Sequence, residues 1–441
     1  MSQSPSPDHG PQAADYQTSD FSKKSDVSNL HSPTTLDATD PLARFADRFY
    51  VDDPDLIYML ANSLGRLPRA TAARMQELVA EEWGARLIRG WNEGWIELPQ
   101  KLGDKLARLL GARPGEVVIA DSTSVNLYKV VRAALDLRPD RRKILTDDLN
   151  FPSDLYILQG ALGDRHLQVV PSPDGIHGPV GALQEALDED TALLALSHTA
   201  FKSSYVYDMV SLTRRAHEAG ALVVWDLSHS AGAVAVDLQE ARADFAVGCT
   251  YKYLSGGPGA PAFLYVRSEH QERARNPVSG WMGQARPFDF DLEYQPAPGL
   301  RRFLSGTPAI LSLAAIEPGL DLLLEAGMER VRAKSVQQTS YLIALWQEIL
   351  QPLGFQLRSP LDDARRGSHV ALGHPEAMRI SLALKQKMNV LPDFRAPDNL
   401  RLSVAPLYTG YAEIYEAVQR IAAVVEKGLY EAFPTEAPEV T

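Results

Sequence analysis

The middle of the chain carries Val224-Trp225-Asp226-Leu227-Ser228-His229, the stretch that decides the fold. The apolar run from Ala221 to Trp225 predicts a buried strand that ends on an acid, a serine and a histidine. A second apolar run, from Phe245 to Cys249, ends just before Tyr251 and Lys252. Open α/β sheets bind their ligands at the carboxyl ends of buried strands. Asp226 and Lys252 are therefore candidates for one shared site.

An acid at one strand end and a lysine after the next suit a particular cofactor. Pyridoxal phosphate needs a lysine amine that binds it covalently and a carboxylate that keeps its ring nitrogen protonated. Lys252 and Asp226 fit these two tasks, and the Gly-rich turn Ser255-Gly256-Gly257-Pro258-Gly259 follows the lysine. The alternative is that Asp226 caps a helix and Lys252 is a solvated loop residue. The surrounding pattern favours the cofactor site.

The chain resembles the fold-type I pyridoxal-phosphate enzymes, and within them the kynureninase family. The resemblance rests on WDLSHSAGAV, from Trp225 to Val234, and on TYKYLSGGPGAPAFLYV, from Thr250 to Val266. It extends from about Asp55 to about Gly428. It implies an α/β fold of the fold-type I PLP-dependent transferase class. A large domain would hold a mostly parallel seven-stranded sheet sandwiched by helices, and a smaller α+β domain would follow it.

Length, charge and cysteine content limit the kinds of protein that this chain can be. The 441 residues suffice for two domains with a sizeable core. The net charge of −12 argues against a nucleic-acid partner. Cys249 is the only cysteine, so no intramolecular disulfide can form. We find no apolar run long enough to cross a bilayer and no signal-peptide pattern, so we expect a cytoplasmic enzyme without a membrane partner.

The pattern divides the chain into five parts. Residues 1–42 are rich in Ser, Pro, Asp and Thr, which predicts a disordered leader. Residues 43–90 predict an N-terminal segment that packs with the small domain. Residues 91–307 predict the large cofactor-binding domain, 308–433 the small C-terminal α+β domain, and 434–441 a tail.

Strand-like and helix-like runs alternate from Glu116 to Asp226. Repeated alternation predicts parallel strands joined by right-handed crossovers. After Pro308 the pattern changes to a long helical stretch, from about 309 to about 350, with a break near Pro318. Short strands and a final helix then complete the predicted small domain.

Three polar segments follow predicted strands and suit the cofactor. Asp121-Ser122-Thr123-Ser124 opens a helix, where hydroxyls and backbone N–H groups form an anion site, although one of these residues could be only an N-cap. The resemblance assigns phosphate contacts to Thr123 and Ser124. It also implies that Phe151 stacks on the cofactor ring and that Asp154 lies near it. Ser197 matches a hydroxyl beside the cofactor, with Thr199 as the rival.

The resemblance implies roles for the residues of the two central motifs. Asp226 would pair with the pyridinium nitrogen, and His229 would lie against the ring or the phosphate. Tyr251 would reach the phosphate and could donate a proton. Lys252 would hold the cofactor and later remove the Cα proton. We therefore predict Lys252, Tyr251 and Asp226 as the catalytic residues.

Substrate contacts are expected from outside these motifs. Ser63, in Asn-Ser-Leu-Gly, matches a turn that lies close to substrate in the family. Trp91 could form an aromatic wall for an aromatic substrate or could be core. Arg401 resembles the small-domain arginine that clamps the substrate α-carboxylate, because a guanidinium makes two parallel bonds to a carboxylate, although an alternating strand could equally expose it to water.

Two further residues imply a partner subunit. Trp281 and Thr307 match positions that, in the family, cross a dimer interface to contact the cofactor phosphate of the neighbour. The resemblance therefore implies a homodimer with shared active sites. His369 and His374 have no recognised metal-ligand spacing, so we expect no metal.

The resemblance implies PLP-dependent hydrolysis of L-kynurenine to anthranilate and L-alanine, a step of tryptophan catabolism. The 3-hydroxy derivative is the other candidate substrate. A cysteine desulfurase needs a mobile nucleophilic cysteine, which Cys249 on a predicted buried strand does not supply. A class V aminotransferase shares Asp226, Lys252 and the arginine. A catalytically silent homologue that acts as a binding protein would be expected to have lost Lys252 or Asp226.

Overall fold

The computed structural model describes residues 32–435. Its strands are β1 (Ile57–Tyr58), β2 (Val117–Ile119), β3 (Lys143–Asp147), β4 (His166–Val170), β5 (Thr191–Ser197), β6 (Leu222–Asp226), β7 (Phe245–Gly248), β8 (Phe263–Val266), β9 (Gln356–Leu357), β10 (His369–Gly373), β11 (Val390–Leu391), β12 (Asp393–Arg395) and β13 (Asn399–Ser403). Its α-helices are α1 (Pro33–Thr39), α2 (Arg69–Glu77), α3 (Leu98–Leu109), α4 (Thr123–Asp136), α5 (Pro152–Ala161), α6 (Val180–Ala186), α7 (Met209–Glu218), α8 (Ser268–Gln271), α9 (Ile310–Ala314), α10 (Glu317–Ala326), α11 (Met328–Leu345), α12 (Ala377–Lys387) and α13 (Tyr411–Glu426).

The largest sheet has seven strands in the order β2-β8-β7-β6-β5-β3-β4. Strands β3 to β7 run parallel, whereas β8 pairs antiparallel with both β7 and β2. The predicted mostly parallel sheet is confirmed. The antiparallel strand β8 was not predicted, and it arises because β7 and β8 are joined by a loop that carries Lys252 rather than by a crossover helix.

Both faces of the central strands of the large sheet are buried. Along β6, Leu222 and Val224 face one apolar cluster, and Val223 and Trp225 face the other. Successive side chains of a strand point to opposite faces, so a strand covered on both sides needs a continuous apolar run. This explains why the stretch before Asp226 has no polar alternation.

A second, antiparallel sheet has the order β12-β13-β10-β9, and α11, α12 and α13 pack with it. The segment 43–90 divides between the two cores. Ile57 and Met59 lie in the core of the smaller sheet, and β1 pairs with β11. Phe45, Phe49 and Leu78 lie in the core of the large sheet. The segment therefore links the two layers.

The N-terminal part of the described chain differs from the predicted leader. Residues 1–31 lie outside the described residues, but Pro33–Thr39 form α1, which packs against α13. The Asp37 carboxylate accepts hydrogen bonds from the backbone N–H groups of Tyr411 at 2.7 Å and Ala412 at 2.9 Å. A carboxylate at a helix N-terminus satisfies unpaired N–H groups and the helix dipole. A distant tertiary contact thus gives structure to a segment whose composition predicts none.

The long helical stretch after Pro308 is interrupted twice. The predicted break near Pro318 separates α9 from α10, with Pro318 in the first turn of α10. A second break falls at Gly327, whose φ of 83° is accessible to glycine at little cost. Within residues 32–435, no helix has both the length and the apolar character needed to cross a membrane.

A buried carboxylate fixes the start of the central strands. Asp244 directly precedes β7 and accepts hydrogen bonds from His217 Nε2 at 2.8 Å and His270 Nε2 at 2.7 Å. It also accepts one from the backbone N–H of Val223, at 2.9 Å, in β6. Burial alone would raise the pKa of Asp244, but the hydrogen bonds from the two histidines outweigh it and lower the pKa to about 2.

We expect Asp244→Asn to lower the free energy of unfolding at pH 7 by about 2 kcal/mol. The folded-state pKa lies below that of the unfolded chain. The contribution is therefore complete above about pH 4 and is lost as the pH falls towards the folded-state pKa. Urea unfolding of both proteins at several pH values measures the difference, which should shrink below pH 4.

Asp136→Asn is the matched control, because Asp136 is half exposed and pairs only with Arg132 one helical turn away. It should change stability by less than about 0.5 kcal/mol. Equal losses for the two substitutions, or a difference that grows on acidification, would contradict the assignment.

Candidate active site

A cavity of about 220 Å³ lies at the carboxyl ends of the central strands. Ser197 ends β5 and Asp226 ends β6, and the parallel register places the two residues side by side. Lys252 enters the cavity from the loop after β7, and Arg401 enters from β13 of the smaller sheet. The cavity therefore lies between the large sheet and the smaller sheet.

Two carboxyl groups lie together in the floor of this cavity. Asp154, in the first turn of α5, interacts with Asp226, and Ser197 Oγ donates to Asp154 Oδ2 at 3.3 Å. Burial, and then the neighbouring Asp226 carboxylate, raise the pKa of Asp154 well above its usual range. Asp154 therefore holds a proton that it can share with Asp226. The backbone N–H of Ser228 also donates to Asp226, at 2.6 Å, and fixes its orientation.

The lysine amine lies beside a buried histidine. Lys252 Nζ is 3.2 Å from His229 Nε2. Burial, followed by the positive charges of Lys252 and Arg401, lowers the pKa of His229 well below its usual range, so the imidazole is neutral at neutral pH. A neutral Nε2 without a proton accepts from the lysine. His229 can therefore position the Lys252 amine without placing a second positive charge beside it.

The N-terminus of α4 faces the same space. Ser122 is the N-cap and accepts from Val125 N, so it takes the capping role that was open in the sequence. Thr123 and Ser124 line the cavity, and Ser124 Oγ is 3.0 Å from Ser153 Oγ. Hydroxyls and free N–H groups at a helix start make an anion site.

A second cavity, of about 490 Å³, adjoins the first on the side of α4. Thr123, Ser124 and Tyr251 line both cavities, and Thr307 lines the second. Burial, and then Cys249, raise the pKa of Tyr251, so its hydroxyl keeps its proton at neutral pH. Tyr251 is therefore a donor between the two spaces.

Aromatic and hydroxyl groups complete the wall. Phe151 lines the first cavity and meets Phe201 edge to face, with 5.2 Å between ring centroids. Thr199, the rival of Ser197, also lines the cavity, but its hydroxyl lies 2.7 Å from Ser230 Oγ, away from the carboxyl pair. Of the two, Ser197 contacts Asp154.

Arg401 is buried rather than exposed to water, with 1% of its surface accessible. Its guanidinium donates to the Asp393 carboxylate and to the backbone oxygen of Phe201. Asp393 also accepts from Ser63 Oγ at 3.0 Å and pairs with Arg395 at 2.9 Å. Arg401 Nε is buried and has no hydrogen-bond partner within the part of the chain that the structure describes.

Two of the expected residues lie away from these cavities. Trp91 packs edge to face against Trp95, with 5.7 Å between ring centroids, and lines neither cavity. Trp281 also lines neither, and 44% of its surface is exposed. Within one chain, the structure therefore brings neither tryptophan to the site.

Sequence reasoning missed Asn62, Asp393 and Arg395, which all line or support the first cavity. Asp393 and Arg395 alternate along β12, next to Arg401 on β13. The Asp-x-Arg alternation is visible in the sequence. Its contribution to the site depends on the pairing of β12 with β13, which the sequence alone does not show.

The residues present fit pyridoxal phosphate. A lysine amine, a carboxylate at the end of β6 and a hydroxyl-lined helix start surround one cavity, as the aldehyde, ring nitrogen and phosphate of that cofactor require. The buried Nε of Arg401 has no partner among residues 32–435 and is free to bind a ligand. Lys252, Asp226, Thr123 and Ser124 are the residues that would hold the cofactor.

Solved structures show the same fold. The chain matches the apo structure of a cysteine desulfurase from Thermococcus onnurineus NA1 with a TM-score of 0.72 and 19% identity, over 90% of this chain and 98% of that one. It matches a mutant of C-DES with glycine covalently linked to the PLP cofactor with a TM-score of 0.72 and 20% identity, over 84% and 97% of the two chains. The fold-type I architecture is thereby confirmed.

Relatives with higher sequence identity show the family to which the chain belongs. The profile of the kynureninase C-terminal domain matches residues 331–421. The chain is 44% identical over 402 residues to a kynureninase of Pseudomonas fluorescens, covering 89% of this chain and 94% of the relative. It is 42% identical over 400 residues to a kynureninase of Burkholderia pseudomallei strain 1106a, with the same two shares. On this identity, over nearly the whole length of these relatives, the chain belongs to the kynureninase family.

Proposed function

We propose that this protein hydrolyses L-kynurenine to anthranilate and L-alanine. The observation that carries the proposal is one cavity that joins Lys252, the Asp154 and Asp226 pair, and Arg401, in a chain of the kynureninase family. An amine, an acid pair and a buried guanidinium are what an α-amino acid substrate needs at a pyridoxal phosphate site.

Pyridoxal phosphate, when bound, supplies a sink for the negative charge that develops on the substrate carbons. Asp226 would keep the ring nitrogen protonated, helped by the proton that Asp154 retains. Thr123 and Ser124 would hold the phosphate, Phe151 would lie on the ring, and Lys252 would hold the cofactor by its amine.

The remaining groups would move protons. Neutral His229 can accept a hydrogen bond from the Lys252 amine and so orients it in the cavity, where Lys252 would take the proton from the substrate Cα. Tyr251 keeps its phenolic proton and is the candidate donor to the carbon released in the cleavage.

Arg401 would bind the substrate α-carboxylate. Its Nε has no partner among residues 32–435, while Asp393 and the Phe201 carbonyl oxygen hold its other nitrogens. The guanidinium is thus oriented before substrate arrives, which lowers the ordering cost of binding. Ser63 would act near the same carboxylate, because its hydroxyl shares Asp393 with Arg401.

A desulfurase activity does not suit this chain, although the solved neighbours include desulfurases. Cys249 is buried, and burial raises the pKa of its thiol. Its Sγ lies 3.7 Å from the backbone oxygen of Ser228 within the sheet edge. A persulfide-forming cysteine must be an accessible thiolate on a mobile segment.

The first test is anthranilate fluorescence after addition of L-kynurenine to protein reconstituted with pyridoxal phosphate. We expect release by the wild type and a fall of at least about 10³-fold for Lys252→Ala, because the cofactor loses its anchor and the reaction its base. Lys101→Ala is the matched control, since Lys101 is a mostly exposed lysine whose amine forms an ion pair with Glu317 on the surface.

Lys101→Ala should leave the rate unchanged. A wild type that binds the cofactor, as its absorbance band would show, but forms a keto acid and no anthranilate would instead identify an aminotransferase.

We further propose that the active enzyme is a homodimer with shared active sites. Large apolar side chains stand exposed along one loop: Trp281, Phe288, Phe290 and Leu292. Such a patch marks an interaction surface. The backbone N–H of Met282, next to Trp281, donates to the backbone oxygen of Ser305, and Ser305 and Thr307 line the second cavity. A dimer formed through this patch would therefore bring the partner close to the phosphate side of the site.

Sedimentation equilibrium should give twice the chain mass of 48.5 kDa. Leu292→Asp should shift the protein towards monomer, because a charge would enter the apolar contact. Leu361→Asp is the matched control, since Leu361 is also exposed but lies near the smaller sheet. An unchanged mass for both variants would place the interface elsewhere, and a monomeric wild type would reject the dimer.

We also propose a cytoplasmic location and the domain limits 91–307 and 308–433. A chain with one buried cysteine gains nothing from an oxidising compartment. The strands of the smaller sheet all follow Phe355, which supports a separate C-terminal domain. Helices α9 and α10 nevertheless pack into the core of the large sheet. The limit at residue 308 therefore divides the chain by sequence position, and these two helices still contact the large domain.

A further inference from the structure

Asn62 is a buried polar residue in the wall of the first cavity. It lines the cavity together with Lys252 and Arg401, and only 1% of its surface is exposed. Neither Nδ2 nor Oδ1 of its side chain has a hydrogen-bond partner within residues 32–435. Buried amides without partners cost stability, so one that lines a cavity indicates a ligand that supplies the missing bonds.

The backbone holds this side chain in place. Asn62 N donates to Ser403 Oγ at 3.1 Å, and Ser403 Oγ lies 3.0 Å from the hydroxyl of Tyr253. Ser63 is held by Asp393, and Gly65 N donates to the backbone oxygen of Tyr251 at 2.8 Å. The backbone of the turn is therefore held on both sides, and the side chain that starts from it is buried, with 1% of the residue's surface exposed.

The strand geometry puts Asn62 next to the arginine. Arg401 and Ser403 are two residues apart in β13, so their side chains leave the same face of the strand. Ser403 contacts the Asn62 backbone, which brings Asn62 to the face that carries Arg401. On its other side, the Asn62 backbone contacts the ring of His229, the neighbour of Lys252.

We propose that the Asn62 amide donates a hydrogen bond from Nδ2 to the α-carboxylate of the substrate, beside the bond from Arg401 Nε. An α-amino acid carries its carboxylate and its amine on one carbon, so a ligand held by Arg401 and Lys252 occupies the cavity that the Asn62 amide also lines. Two donors on one carboxylate fix the rotation of the bond to Cα and thereby orient the Cα proton. Asn62 is then a positioning residue for any α-amino acid in this site.

The test measures ligand binding to the holoenzyme rather than turnover, with L-alanine and L-alaninamide as probes. Titration of the cofactor absorbance gives a dissociation constant for each. We expect Asn62→Ala to weaken L-alanine binding by about tenfold, the scale of one lost hydrogen bond to a charged group. L-Alaninamide binding should weaken less, because its uncharged carboxamide oxygen is a poorer acceptor than a carboxylate. Arg401→Lys should show the same selectivity for the carboxylate.

Asn62→Asp keeps the shape of the side chain and tests the direction of the bond. Its carboxylate would repel the ligand at neutral pH, and L-alanine affinity should recover as the pH falls and the new acid gains a donor proton. Gln338→Ala is the matched control for loss of a buried amide, because Gln338 Oε1 also lacks a partner within the described part of the chain but lies outside both cavities.

Gln338→Ala should cost stability without changing either dissociation constant. Unchanged L-alanine affinity in Asn62→Ala, equal losses for the two ligands, or tighter binding to Asn62→Asp at neutral pH would each overturn the inference. If Asn62→Ala does not retain cofactor, the isosteric Asn62→Asp decides alone. The inference rests on the proposed function only in taking an α-amino acid as the ligand. A protein that binds L-alanine but releases no anthranilate would reject the hydrolase, whereas the binding constants of the Asn62 variants would still test the role of Asn62.

Discussion

The parallel register of β5, β6 and β7 is the constraint on which the site depends. Ser197 lies opposite Asp226, and Asp226 lies opposite Val247, so the three strands end at one level. Every polar group that follows them is delivered to the same edge of the sheet. The apolar residues before those ends fix the register of the strands. A shift of the register by one residue would turn Trp225 out of its core and Asp226 out of the cavity.

Burial and charge act against each other in this cavity, and the balance defines which groups carry protons. Asp154 keeps a proton because a second carboxylate and low exposure disfavour its ionised form. His229 loses its proton because two cations surround a buried ring. In water at neutral pH a carboxyl group is ionised, whereas an imidazole of ordinary pKa is already mostly neutral, so Asp154 is the group whose charge the cavity changes. Perturbed protonation states of this kind are typical of catalytic centres.

The sequence predicted those parts of the site that local pattern controls. Asp226 and Lys252 follow apolar runs that could only be buried strands, and Thr123 and Ser124 open a helix with capping residues. Arg401 was located by resemblance, and its burial depends on pairing between β12 and β13. Asp393 could not be assigned, because its role arises from Ser63, which is 330 residues away. The helix α1 was missed for the same reason, since its support comes from Tyr411 and Ala412 at the other end of the chain.

The turn that contains Asn62 and Gly65 has a consequence for how the protein is made. A Cβ on Gly65 would lie 2.3 Å from the backbone oxygen of Lys252, so the turn and the lysine loop are in direct contact. Its other supports come from far along the chain, because Asp393 lies 330 residues after Ser63 and Ser403 lies 341 residues after Asn62. A nascent chain that has already formed the large sheet still lacks the groups that hold this turn. The active site is thus completed only after the strands of the smaller sheet have been synthesised.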